Sequence, residues 1–159
     1  MIQALLLANE GAVATDNVAL AILGLTLCVI LCGAGSVFGL WFTGSAASGV
    51  LAEDPKKFSK VLVLVVLPAT QGIYGFVFGI IGMGSIGTVP AMNIVAASLP
   101  LMINGFLSAI FQGKTAVNAI HAVAKNDSLS GKLILFPAMI ETYAILALVV
   151  SILMLSAGV

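Results

Sequence analysis

Charged residues are the scarcest class in this chain, which has 159 residues, no arginine and only six lysines. Charged side chains make up 8% of the sequence, against about 25% in a soluble globular protein. Hydrophobic residues make up 61%, and the mean hydropathy is +1.23. We therefore predict several membrane-spanning segments and not a soluble domain. The formal net charge of zero also argues against a nucleic-acid partner.

Cysteines and nucleotide-binding motifs are equally sparse. Cys28 and Cys32 lie one helical turn apart in an apolar run, and this pair offers too few ligands for a metal or redox site. No Gly-x-x-x-x-Gly-Lys-Ser/Thr loop is present, so we do not expect the chain to hydrolyse ATP by itself. Residues 1–17 carry acids and no lysine, unlike a cleaved signal peptide.

Four apolar stretches are each long enough to cross about 30 Å of hydrocarbon, which takes roughly 20 helical residues. They run from about residue 18 to 51, 58 to 86, 91 to 123 and 129 to 156. The links between them, residues 52–57, 82–90 and 125–130, are short. Short links make consecutive helices antiparallel neighbours. The predicted fold is an all-α membrane protein with four transmembrane helices arranged as two hairpins.

The two hairpins resemble each other. Leu67-Pro-Ala-Thr-Gln71 in the second span corresponds to Phe136-Pro-Ala-Met-Ile-Glu141 in the fourth, with a polar residue three or four places after each proline. We predict a tandem duplication, with a tail at residues 1–16, a first hairpin at 17–89 and a second at 90–159. Because both halves have the same topology, the repeat is parallel and not inverted.

The lysines predict the orientation, because all six lie at or near the first and third links. They are Lys56, Lys57, Lys60, Lys114, Lys125 and Lys132. Positive residues collect on the cytoplasmic side of a membrane protein. We therefore predict that the first and third links are cytoplasmic and that both termini are extracytoplasmic.

Glu141 is the one charged residue between Lys132 and the C-terminus, and it lies inside the fourth span. A carboxylate at the centre of a membrane helix costs about 2.5–3.5 kcal/mol on insertion scales, so such residues usually handle ions or protons. Two amides share its depth. Gln71, Gln112 and Glu141 each lie 13 or 14 residues from the charged links, about 20 Å of helix.

These polar groups suggest a cation site. The candidate oxygens belong to Glu141, Gln71, Gln112, Thr70 and a main-chain carbonyl near Pro68, whose missing N–H loosens the helix. A small hard cation takes several oxygen ligands, whereas a proton needs little more than the carboxylate. The set therefore favours Na⁺ over H⁺, and the two ions should compete. Taken singly, each amide or hydroxyl fits interhelical hydrogen bonding at least as well; their common depth favours the joint site.

Small residues recur at every fourth position of the first span and in the third. They include Gly24, Cys28, Cys32 and Ser36, the pairs Gly35/Gly39 and Ser45/Gly49, and Gly105, Ala109 and Gly113. Such spacing lets helix backbones approach closely in lipid. The pattern indicates an inner layer made of the first and third helices, either between subunits of a ring or within one chain.

Three segments, residues 67–76, 111–114 and 140–146, closely resemble the proteolipid K (c) subunits of bacterial V-type rotary ATPases, in particular the sodium-pumping kind. The resemblance implies a homo-oligomeric ring, the rotor of an ATP-driven pump, with Glu141 as the ion carrier. It implies Leu67 (through its carbonyl), Thr70, Gln71 and Gln112 as the other Na⁺ ligands. It also implies that Tyr74 donates a hydrogen bond to Glu141.

The same resemblance implies partners and a location. They are a stator subunit with an essential arginine, central-stalk subunits at the cytoplasmic loops, lipid, and a bacterial plasma membrane. Three alternatives remain open on the sequence. A ring of this type could carry H⁺. A four-helix secondary transporter working as a dimer would place its carboxylate in an aromatic-lined cavity, without a parallel repeat. A structural pore-forming proteolipid would tolerate Glu141→Gln.

Overall fold

The computed structural model describes the backbone of residues 2–157 and the side chains of residues 17–157. Within this range the regular structure is helical. The α-helices are α1 (Ile2–Glu53), α2 (Phe58–Val66), α3 (Thr70–Met83), α4 (Ala91–Lys125), α5 (Ser130–Leu133) and α6 (Leu135–Ala157). Three-residue 3₁₀ helices at Pro55–Lys57, Leu67–Ala69 and Asp127–Leu129 join some of them.

These helices make four segments that are long and apolar enough to cross a membrane. We call them span 1 (Asn17–Glu53), span 2 (Pro55–Met83), span 3 (Ala91–Lys125) and span 4 (Asp127–Ala157). The prediction of four transmembrane helices in two hairpins is confirmed. The backbone of α1 continues to Ile2, but the predicted tail, residues 1–16, lies outside the range of described side chains.

The ends of the spans differ from the sequence prediction by a few residues, and at two of them a turn accounts for the difference. Span 2 ends at Met83 and not near residue 86, because Gly84 begins a turn that includes Gly87 with a φ of +88°. Such a backbone conformation favours glycine. Span 4 begins at Asp127 and not near residue 129, because the Asn126 side chain accepts a hydrogen bond from the Ser128 N–H and starts a 3₁₀ turn.

Span 2 changes from α-helix to 3₁₀-helix at Leu67–Ala69, the turn that contains Pro68. Proline has no N–H to donate and crowds the preceding turn, and the α-helix is interrupted here as expected, although by a 3₁₀ turn, which is wound more tightly than an α-helix. The buried Thr43 hydroxyl on span 1 donates to the Val65 carbonyl across the interface, at 2.9 Å. This bond satisfies a carbonyl beside the irregular turn, which an apolar environment requires.

The backbones of spans 1 and 3 are in close contact at Gly39 and Gly113. A Cβ added to Gly113 would lie 2.6 Å from the Gly39 Cα and 2.8 Å from the Gly39 carbonyl oxygen. A Cβ added to Gly39 would lie 2.7 Å from the Ala109 carbonyl oxygen. Of the two alternatives for the small residues, packing within one chain therefore accounts for this part of the stripe. The close approach brings span 3 into the centre of the four helices.

The first and third links lie at the same end of the helices. Asp127 forms ion pairs with Lys60 and with Lys57, the latter at 3.5 Å, and the Lys57 ammonium also donates to the Ala124 carbonyl. These contacts tie the start of span 2 to the end of span 3 and the start of span 4. The two hairpins are therefore joined at the end where the lysines gather.

We expect Lys60→Gln to lower the thermal unfolding midpoint of the purified protein slightly at low ionic strength and not at high salt. Exposed ion pairs are weak and screened, and this one is partly exposed. The matched control is Lys56→Gln, because the Lys56 ammonium makes no ion pair within the described residues. Equal midpoints for both variants at low salt would show that the pair contributes nothing measurable.

Candidate functional site

Glu141 lies in the second turn of α6, four residues after Pro137. Proline is tolerated near a helix start, where backbone N–H groups have no partner in the helix. This start places Glu141 on the side of span 4 that meets spans 2 and 3, with the buried Ala144 one turn further along. The Glu141 side chain is half-buried.

Two side chains donate hydrogen bonds to the Glu141 carboxylate. The Tyr74 hydroxyl on span 2 donates to Oε1 at 2.6 Å, and the Gln112 amide Nε2 on span 3 donates to Oε2 at 3.3 Å. The same Gln112 nitrogen also donates to the Pro137 carbonyl at 3.1 Å. Both carboxylate oxygens therefore have a donor, and span 4 is connected through Glu141 to both neighbouring spans.

The hydrogen-bond network continues from Gln112 into span 2. The Gln71 amide Nε2 donates to Gln112 Oε1 at 2.7 Å, and both amide side chains have no solvent-exposed area. The Thr70 hydroxyl can donate to the Leu67 carbonyl, at 3.0 Å, and to Gln71 Oε1, at 3.3 Å. The 3₁₀ turn at Pro68 thus supplies the carbonyl, and the first residue of α3 supplies the hydroxyl, at one end of the network.

The structure brings every residue predicted for the cation site into one connected network. The oxygens of these predicted ligands come from one carboxylate, two amides, one hydroxyl and one main-chain carbonyl. Within residues 17–157, no lysine or histidine forms an ion pair with Glu141, and no cluster of three or more His, Cys, Asp or Glu side chains is present. The donor set is therefore of the oxygen-only kind that suits a hard cation and not a transition metal.

Sequence reasoning missed two groups beside this network. The Pro137 carbonyl accepts a hydrogen bond from the Gln112 amide and so orients it. In the sequence, only the repeated proline motif draws attention to this carbonyl. The buried Ser36 hydroxyl accepts a hydrogen bond from the Gly72 N–H at 2.8 Å, which anchors the residue after Gln71 to span 1. The sequence assigns Ser36 only to the small-residue stripe, and nothing in its spacing distinguishes a hydrogen-bonding serine from a packing one.

Fold and network together define a multi-pass membrane protein built from two copies of one helical hairpin, with an acid in the second copy where the first has an amide. The chain belongs to the family of the ATP synthase C subunit. The model of that family matches it twice, at residues 23–82 and 95–154, once in each hairpin.

Individual relatives agree with the family match. The V-type sodium ATPase subunit K of Enterococcus hirae is 42% identical over 138 residues, covering 84% of this chain and 88% of that protein. The A-type ATP synthase subunit K of Methanocaldococcus jannaschii is 41% identical over 140 residues, which are 88% of this chain and 63% of that protein. The c″ subunit of the V-type proton ATPase of Saccharomyces cerevisiae is 24% identical over 144 residues, 83% and 68% of the two lengths.

These comparisons confirm the predicted resemblance and the duplicated-hairpin fold. The chain is a c-type subunit of a V- or A-type ATPase, a non-catalytic membrane component of the complex, and c subunits of these ATPases form rings. The family and the relatives described above are subunits of rotary ATPases, and they do not favour the alternatives of a secondary transporter dimer or a structural pore. The relatives include a sodium ATPase subunit and a proton ATPase subunit, so membership of the family alone does not determine the ion.

Proposed function

We propose that this rotor subunit carries Na⁺ across the membrane on Glu141, with Leu67, Thr70, Gln71 and Gln112 as further oxygen ligands. One observation carries the proposal: the carboxylate of Glu141 is hydrogen-bonded to a fully buried amide that is itself bonded to a second buried amide. A proton carrier needs a carboxyl group and one or two partners. A chain of five oxygen-bearing groups on three spans is more than a proton requires and matches the coordination that a small cation takes.

Na⁺ would enter by replacing hydrogen bonds between the ligands. In the network the Gln71 amide nitrogen points at the Gln112 oxygen, so a cation between them requires the Gln71 amide to turn its oxygen inwards. Gln112 can keep its N–H on Glu141 while its oxygen binds the ion. The Tyr74 hydroxyl holds the carboxylate in place from the other side, and Na⁺ is the cargo of the site.

Charge neutralisation explains why the ion would remain bound as the ring turns. Glu141 has no basic partner within the described side chains, and an unpaired carboxylate facing lipid is costly. Bound Na⁺ makes the site neutral during passage through lipid. At the stator, an arginine of the partner subunit would replace the ion and release it. ATP hydrolysis in a separate soluble sector would drive rotation through central-stalk subunits at the cytoplasmic links.

Duplication leaves one carboxylate for four helices, because Gln71 stands where the second hairpin has Glu141. Each revolution of the ring therefore moves fewer ions than a ring of single hairpins with as many helices. Each ATP then moves fewer ions and can work against a steeper gradient, which favours pumping. We place the links that contain Lys57 and Asp127 on the cytoplasmic side of a bacterial plasma membrane, with the termini outside, in accordance with the lysine distribution.

Whether Na⁺ protects Glu141 from reaction with a carboxyl-reactive carbodiimide tests both the identity of the ion and the location of the site. We expect Na⁺ to slow the labelling of Glu141 near neutral pH, because a coordinated carboxylate is not available for reaction, and we expect lower pH to weaken that protection. Peptide mass spectrometry locates the label, and choline chloride at equal ionic strength is the salt control. Asp127→Asn removes an exposed carboxylate outside the site and should leave the labelling of Glu141 unchanged. Absence of protection by Na⁺ would assign H⁺ as the ion and contradict the proposal.

Tyr74→Phe should raise the Na⁺ concentration needed to protect Glu141 by about ten- to a hundredfold, because a hydrogen bond to a charged group contributes about 1.5–3 kcal/mol. Tyr143→Phe is the matched control. The Tyr143 side chain is 65% exposed, two residues from Glu141 in the same helix, and makes no hydrogen bond within the described side chains. Equal protection curves for both variants would mean that Tyr74 does not support the bound state.

A further inference from the structure

Span 1 contributes none of the ligands proposed for Na⁺, but it contacts the segment of span 2 that carries three of them. This segment, residues 65–72, contains Leu67, Thr70 and Gln71. It includes the 3₁₀ turn at Leu67–Ala69 and the first turn of α3. A shift of the segment would therefore move the main-chain carbonyl, the hydroxyl and one of the two amides of the site together.

Two hydroxyls of span 1 form hydrogen bonds with the two ends of this segment. At one end the Thr43 hydroxyl donates to the Val65 carbonyl at 2.9 Å. The same hydroxyl lies 3.2 Å from each of two carbonyls of its own helix, so the contact with span 2 is the shortest of the three. At the other end the Ser36 hydroxyl accepts from the Gly72 N–H at 2.8 Å. The three ligand-bearing residues lie between these two bonds.

A glycine of span 1 packs against the proline between these bonds. A Cβ added to Gly39 would lie 2.5 Å from the Pro68 Cβ, and the Pro68 side chain is fully buried. Ser36, Gly39 and Thr43 are spaced at i, i+3 and i+7, so one face of α1 makes all three contacts. Both hydroxyl side chains are buried. Span 1 therefore contacts the segment at its two ends and at its proline, away from water.

The hydrogen bonds of span 2 itself do not hold this segment as firmly as those of a regular helix would. Pro68 has no N–H to donate to the preceding turn, and a 3₁₀ turn inside a helix often marks a place where the helix can change its geometry. Ligands of a binding site have to be held to within about 0.5 Å. Gln112 receives such support from the Pro137 carbonyl, and the ligands of span 2 need an equivalent support from a neighbouring helix.

We propose that Ser36 and Thr43 are positioning residues for the Na⁺ site, which hold residues 65–72 where the ligand oxygens of span 2 can meet the ion beside Glu141. This inference rests on the proposed function and adds span 1 to the helices that determine Na⁺ affinity. Neither hydroxyl is a ligand, and neither forms a hydrogen bond with the Glu141 carboxylate. Their removal should therefore weaken Na⁺ binding and leave the hydrogen bonds of the carboxylate in place.

Thr43→Val removes one hydroxyl and keeps the shape of the side chain. We expect it to raise the Na⁺ concentration that half-protects Glu141 from the carbodiimide by about tenfold, because residues that orient metal ligands typically contribute ten- to a hundredfold to metal affinity. Ser36→Ala should act in the same direction. Thr43→Ser keeps the hydroxyl and should need no more Na⁺ than the unmodified protein. Without Na⁺, the labelling rate should be the same in all of these proteins, because Tyr74 and Gln112 still donate to the carboxylate.

Ser151→Ala is the matched control for a lost hydrogen bond between spans. The buried Ser151 hydroxyl accepts from the Leu101 N–H at 3.2 Å and joins span 4 to span 3. It lies ten residues after Glu141, about 15 Å along the helix. This variant should leave the half-protecting Na⁺ concentration unchanged, even where its thermal unfolding midpoint in detergent falls as far as that of Ser36→Ala.

The outcomes separate this inference from the proposed function. An unchanged half-protecting concentration in either Thr43→Val or Ser36→Ala would overturn the inference and leave Na⁺ transport on Glu141 intact. An equal rise in Ser151→Ala would also overturn it, as would a Thr43→Ser variant that needs as much Na⁺ as Thr43→Val, because the effect would then come from altered packing and not from the hydroxyls. Absence of Na⁺ protection in the unmodified protein would overturn the proposed function and this inference with it.

Discussion

Glu141→Gln is expected to abolish ATP-driven Na⁺ uptake by proteoliposomes that contain the assembled ATPase. Glutamine has nearly the shape of glutamate and can still accept a hydrogen bond from Tyr74, which donates to Oε1 at 2.6 Å. It has no negative charge, however, to balance a cation away from water. Removing one partner of a buried charge pair costs about 3–5 kcal/mol, so Na⁺ affinity should fall more than a hundredfold.

Asp127→Asn is the matched control for this experiment, because it makes the same change of charge and shape at an exposed ion pair with Lys60. It should leave Na⁺ uptake close to that of the unmodified complex. Blue native electrophoresis should show that both variants assemble. Na⁺ uptake above the uncoupled background in an assembled Glu141→Gln complex would contradict the proposed role of the carboxylate.

The height of each polar group in the membrane could be predicted from the sequence, because a helix rises by a constant distance per residue. Counting from the lysine-rich links places Gln71, Gln112 and Glu141 at one depth, and hydrogen bonds join these three side chains. The four spans follow from hydropathy alone, with errors of a few residues where a turn begins. The turn at Pro68 follows from the missing N–H of proline.

The direction in which each side chain points could not be predicted in that way. Depth says nothing of rotation about a helix axis, and rotation is determined by which faces pack together. The carbonyl of Pro137 orients Gln112, and the hydroxyl of Thr43 satisfies Val65; both contacts depend on how near spans 1, 3 and 4 approach their neighbours. For the same reason, the spacing of small residues could not distinguish packing within the chain from packing between subunits.

The close contact between spans 1 and 3 leads to the second large expected effect. Gly113→Ala should destabilise the protein, because the new Cβ would lie 2.6 Å from the Cα of Gly39, and neither backbone can yield without moving its helix. Overpacking of this kind costs about 1–3 kcal/mol, which exceeds or cancels the advantage of about 1 kcal/mol that alanine has over glycine in a helix. Gln112 is the preceding residue, so displacement of span 3 should also weaken Na⁺ protection of Glu141.

Gly44→Ala separates the steric effect from the helix propensity of alanine. Gly44 lies in α1, as Gly39 does, but apart from the adjacent residues and backbone of its own helix, nothing lies within 4 Å of the position that its Cβ would occupy. The Gly44 variant should therefore be as stable as the unmodified protein or more stable, whereas the Gly113 variant should unfold at a lower temperature in detergent. Carbodiimide labelling of the two purified proteins should differ in the same direction. Equal unfolding midpoints would contradict the backbone contact between Gly39 and Gly113, and with it the packing that positions Gln112 beside Glu141.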